Sequence, residues 1–176
     1  MRLQFWSFDI VFAIVIFSAA MTLIAFEWSG IEGQLSIAYS NNAQVMQLQA
    51  QTLGRSIFYT GWPPNWEGTV NSSNSLTWGL VSIGIGTGNG TQISPQKLAA
   101  LLSMANSNYP ATKQLLGVSY NYYIRISSQT VNLSIGKNPA KYGAVTIYSS
   151  FTNGYVYGSP VSVTASVWTN TSYGEG

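Results

Sequence analysis

Cysteine and histidine are both absent from the 176 residues. The first absence removes disulfides, thiolate nucleophiles and cysteine-bearing metal sites. The second removes the side chain that titrates near neutral pH and the commonest metal ligand. Charge is scarce too: seven Lys/Arg and five Asp/Glu make up 7% of the chain, against about 25% in an ordinary soluble domain. The basic residues form no cluster, so the net charge of +2 describes no nucleic-acid stripe, and no nucleic-acid partner is expected. Beyond Glu32 the only carboxylates are Glu67 and Glu175, so a paired-carboxylate hydrolase would need both, and Glu175 lies in the C-terminal tail, which is expected to fray. Nothing in the sequence sets a serine beside Lys97 or Lys113 for Ser-Lys chemistry. The expectation is a non-enzymatic chain with no catalytic residues, no metal and no cofactor.

What the chain has is an uncharged run from Ile10 to Phe26, bounded by Asp9 and Glu27 and extended toward the N-terminus by Phe5, Trp6 and Phe8. As a helix rising about 1.5 Å per residue it nearly crosses a hydrocarbon core of about 30 Å, and the aromatic flank with Trp28 suits the two interfaces. No small-x-small cleavage site follows promptly and Asp9 interrupts the apolar start, so the run reads as a retained membrane segment and not as a secretory signal peptide. Arg2 places the N-terminus on the cytoplasmic side and the larger part of the chain outside. Past Gly30 and Gly33 the pattern turns amphipathic: Ile31, Leu35, Ala38, Met46, Ala50, Leu53 and Ile57 recur at helical spacing as far as about Phe58. Gly61-Trp62-Pro63-Pro64 then stops the helix. Two regions follow: residues 1–58, a hydrophobic and then amphipathic helix, and residues 59–176, an extracellular β-rich domain.

Period-two alternation marks that second region from about Leu76 onward. Val118-Tyr120-Tyr122-Ile124-Ile126 predicts one strand face, and Val131-Leu133-Ile135, Val145-Ile147 and Val161-Val163-Ala165-Val167 predict others. Turn letters separate them, among them Gly136-Lys137-Asn138-Pro139 and Asn153-Gly154. One short helix is predicted inside, with Ser94 as N-cap, Pro95 in the first turn and Leu98, Leu101, Leu102 and Ala105 on one face. The fold class is therefore α+β: a long N-terminal helix followed by an antiparallel β-rich domain with one short helix. Gly84, Gly86, Gly88 and Gly90 lack the Gly-Lys-Ser/Thr ending of a phosphate loop and read as a flexible loop or hairpin tip. Strand alternation accounts for Tyr120, Tyr122, Tyr148 and Trp168 without a glycan-binding face. Four Asn-x-Ser/Thr sequons, at Asn71, Asn89, Asn132 and Asn170, all lie beyond the apolar run and are candidate N-glycosylation sites.

The start Gln4-Phe5-Trp6-Ser7-Phe8-Asp9, running straight into the apolar helix, resembles the class III signal-peptide region of archaeal type IV-like pilins. In that family a dedicated prepilin peptidase cuts a short leader a few residues before an acid. Placing Ser7 and Asp9 at the third and fifth mature positions would make Phe5 the first mature residue and Met1 to Gln4 the leader. Gln4 stands where the family usually has Gly or Ala, and the leader holds a single basic residue. The resemblance is specific to about the first 30 residues. It implies a membrane-inserted precursor that pilus assembly machinery draws into a helical homopolymer on the cell surface, an adhesive filament with the apolar helices at its core. Phe5, Ser7 and Asp9 would be its assembly residues, Asp9 pairing with the free amine of a processed chain. The other reading of the same topology is a membrane-anchored surface binding protein that does not polymerise.

Overall fold

The computed structural model describes residues 4–170, the side chains of residues 4–7, 33 and 35–39 excepted. The architecture is α+β. Helix α1 (Gln4–Ser56) is followed by β1 (Gln92–Ile93), α2 (Pro95–Ser107), α3 (Tyr109–Leu115), β2 (Asn121–Ser127), β3 (Asn132–Gly136), β4 (Thr146–Val156) and β5 (Ser159–Thr169), with short 3-10 turns between. By internal contacts the chain divides at Asn42/Ala43, so the end of α1 belongs to the β-rich unit.

Within the β-rich unit α1 buries Met46, Ala50, Leu53 and Ile57, a 4-3-4 spacing that draws one stripe down a 3.6-residue helix. Gly54 lets the stripe approach the sheet closely, because a Cβ there would press on the Ser150 side chain. Gln49 adds a clamp: its amide nitrogen donates to the Ser119 hydroxyl and its amide oxygen accepts from the Ser119 backbone N–H. After Ser56 the helix tightens and stops. Phe58 and Tyr59 donate three residues back, to the Arg55 and Ser56 carbonyls, and the chain enters Gly61-Trp62-Pro63-Pro64.

The five strands form one sheet in the order β1-β4-β5-β2-β3. Its inner face is read off the register. Tyr122, Ile124 and Ile126 of β2 lie opposite Val167, Ala165 and Val163 of β5, and Ile124 and Ile126 lie opposite Ile135 and Leu133 of β3. Most of these are fully buried, and α2 covers the face with Leu98, Leu101 and Met104. Ser94 caps α2 as its pattern predicts, accepting from the Lys97 N–H, with Pro95 in the first turn.

Four details depart from the sequence-based expectation. The sheet is mixed, because β1 joins β4 in parallel. A second short helix, α3, follows α2 directly, and Asn108 both ends one and caps the other, its Oδ1 accepting from the Ala111 N–H. Asn153-Gly154 is not a turn: both residues lie inside β4, and Gly154 is buried against the Phe58 ring and the Thr91 carbonyl. The β4–β5 hairpin instead turns at Tyr157-Gly158, both at positive φ (50° and 78°), the two-residue geometry matched to strand twist. Finally, Val145 and Ile147 face solvent, and the inward positions of β4 are held by Tyr148, Ser150, Thr152 and Gly154.

Candidate functional site

The most distinctive surface is the N-terminal half of α1. Within Phe8–Glu32 an 18-residue window reaches a mean hydropathy of 2.4, and none of the segment is buried. Phe8, Phe12, Ile16, Phe17, Ile14 and Val11 are each more than half exposed, and at about 100° per residue they fall on every side of the helix. A helix that is apolar all round requires an apolar environment on all sides, either hydrocarbon or other protein. This is one helix long and apolar enough to insert in a membrane. Its hydroxyls are compatible with such surroundings. Thr22 donates to the Ser18 carbonyl at 2.8 Å and Ser29 to the Phe26 carbonyl at 2.9 Å, which spares each O–H a separate partner. At the C-terminal limit the Trp28 indole N–H donates to Glu32 at 2.8 Å, one turn on.

Asp9 sits in the second turn of α1, exposed, with apolar residues on either side in the chain. A carboxylate there interacts favourably with the helix N-terminus but is costly in a dry environment unless a cation or donor meets it. Phe5 and Ser7 lie in the first turn, and their side chains are outside the described residues, as are Met1 to Leu3 altogether.

The four sequon asparagines, Asn71, Asn89, Asn132 and Asn170, are all exposed. The Asn71 Oδ1 accepts from the Ser73 N–H at 3.0 Å, closing a turn within its own sequon. Asn89 lies between Gly88 and Gly90, both at positive φ. Asn132 opens β3, an edge strand, and its side chain points away from the buried face. Asn170 is the last described residue, so Thr171 and Ser172 of its sequon fall outside the description.

The residues weighed for other chemistry have structural partners. Lys97, 5% exposed, donates through Nζ to the carbonyls of Thr60 at 2.7 Å and Gly86 at 3.3 Å, tying α2 to two loops. Gly84 and Gly86 do not form a loop tip. Both are buried, because a Cβ at either would overlap the carbonyls of Tyr59 and Phe58; only Gly88 and Gly90 form the exposed turn. Trp66, Trp78 and Trp168 are fully buried, and each indole N–H finds a carbonyl, those of Gly84, Asn71 and Lys137 at 2.8–2.9 Å. Tyr122 stacks on Tyr109 at 4.9 Å between ring centroids. Its buried hydroxyl faces Thr112 at a geometry short of a hydrogen bond, and burial pushes it up to about 12. Tyr109, whose hydroxyl accepts from the Tyr122 N–H, is also raised by burial.

Two features have no counterpart in the sequence reading. Leu76 and Leu80 are 90% and 83% exposed, on either side of the buried Trp78. An apolar cleft of about 260 Å3 opens between α2 and the inner face of the sheet. Neither has a sequence signal, because both depend on which residues the tertiary fold leaves uncovered. Comparison with protein-family profiles, curated protein sequences and solved structures finds no match to the chain.

Proposed function

We propose that the chain is the structural subunit of a type IV-like pilus of the archaeal kind, inserted in the membrane as a precursor and then polymerised through its N-terminal helix into an extracellular adhesive filament. The observation that carries this reading is the apolar segment Phe8–Glu32, uncovered on every side and attached to a unit with its own core. Assembly exchanges lipid for the same segment of neighbouring copies, so the apolar surface stays out of water in both states. Asp9, the acid nearest the start of that segment, is the group that would meet the amine of a processed copy and set the register. The outer surface has few charges to desolvate or screen, and sequon asparagines exposed to solvent suit a glycosylated exterior.

Asp9→Ala tests the reading. The variant inserts in the membrane as the parent does, because a neutral side chain is less costly in lipid, but filaments sheared from cells fall at least about tenfold, the loss of one interaction worth about 1.4 kcal/mol or more per subunit contact. Unchanged filament yield removes the role given to Asp9. A parent chain that stays wholly in the membrane fraction and forms no filament favours the anchored binding protein.

A further inference from the structure

The β-rich unit carries a knob and a hole that do not meet within one copy. The knob is the segment Asn71–Leu80. The Trp78 side chain is buried and donates to the Asn71 carbonyl at 2.8 Å, and the Thr77 hydroxyl donates to the Asn74 carbonyl at 2.8 Å. This 3-10 turn is held rigid at its base while Leu76 and Leu80 stand 90% and 83% exposed. Two leucines presented on a preorganised turn lose little further entropy on docking.

The hole is the apolar cleft. Pro95, Leu98 and Leu102 of α2 form one wall, Leu133 and Ile135 of β3 the other, and Tyr157 stands at the rim. At about 260 Å3 the cleft is smaller than the roughly 300–1,000 Å3 of small-molecule sites, a size suited to one or two aliphatic side chains.

We propose that Leu76 and Leu80 of one copy seat in this cleft of the next copy, making a head-to-tail contact between outer units. The inference rests on the filament reading and adds to it a second contact besides the helical core. No charged residue lies in Asn71–Leu80 or lines the cleft, so docking buries no unpaired charge. The same absence argues against a membrane surface as the partner of the leucines, since interfacial anchors combine apolar residues with Lys or Arg. The contact joins two different patches, and repetition of such a heterologous contact extends without closing when its rotation does not complete a ring, which is the symmetry of a fibre.

The chain has no cysteine, so introduced pairs report without background. Gly79 lies within the knob with open space around its Cβ position, and Ala99 lines the cleft, so Gly79→Cys with Ala99→Cys leaves both leucines in place. Full-length chains are produced in cells, sheared from the surface, imaged, oxidised and separated without reductant. Gly79→Cys with the exposed Lys141→Cys is the control pair. The proposal expects fibres from all chains and a ladder of trimers and larger species from the cleft pair alone. Fibres with no ladder, or with equal ladders from both pairs, overturn this contact and leave the filament reading standing. If the unsubstituted chain forms no fibres, the filament reading falls and this contact falls with it.

Discussion

Single residues in the β-rich unit show how a sparsely charged protein satisfies its buried polar groups. Three tryptophans each donate to a carbonyl, and Lys97 is held by two. Among the described residues two side-chain atoms are exceptions, Glu67 Oε2 and the Tyr122 hydroxyl, both buried without a hydrogen bond. The tyrosine predicts a pH dependence whose sign follows from burial. The folded chain keeps the phenolic proton up to about 12, whereas the unfolded chain releases it near 10.0. Between these values the unfolded state binds fewer protons, so stability is constant below the lower value and falls as pH rises toward the upper one. A difference of this size corresponds to about 2–3 kcal/mol. Tyr122→Phe should be near neutral or stabilising at pH 7, because it removes an unpartnered group, and should weaken the alkaline loss without abolishing it, since Tyr109 is shifted the same way. Chemical denaturation at a series of alkaline pH values measures both, and an unaltered alkaline slope contradicts the assignment.

Among the elements, α1 carries two different faces in succession: apolar all round over Phe8–Glu32, then a single buried stripe from Met46. Leu53→Ala should cost about 2–5 kcal/mol, because it opens a cavity between helix and sheet. Leu48→Ala, at a position 63% exposed, should cost about 0.5 kcal/mol or less. Thermal melting of the two variants in detergent compares them, and similar losses would mean that the packed stripe is misassigned. That stripe was legible in the sequence because a period near 3.6 survives any tertiary context, and β2, β3 and β5 were legible because their inner faces alternate cleanly. Asn153-Gly154 misled because the same dipeptide that makes a hairpin turn also makes room, and here Gly154 makes room for Phe58. Helix α3 is only 7 residues long, too short for a periodic signal. Of the candidate site, the apolar span, Asp9 and the sequons were legible as local motifs. The cleft and the exposure of Leu76 and Leu80 were not, since they depend on the packing of distant segments.

For the whole molecule, the composition and the two units converge on one account. A unit with its own core and few charges is joined to an apolar helix, and on the proposed reading polymerisation through that helix covers it outside the membrane. Salt and pH have little to act on in such a surface, so the filament should be insensitive to both over ordinary ranges. The most direct check is electron cryo-imaging of material sheared from the surface of cells producing the chain, reconstructed finely enough to trace α1. The account predicts fibres in which residues 8–32 of neighbouring copies pack together along the axis, with the β-rich units outside. Chains confined to the membrane fraction, or fibres whose axis is built from the β-rich units and not from these helices, would contradict it.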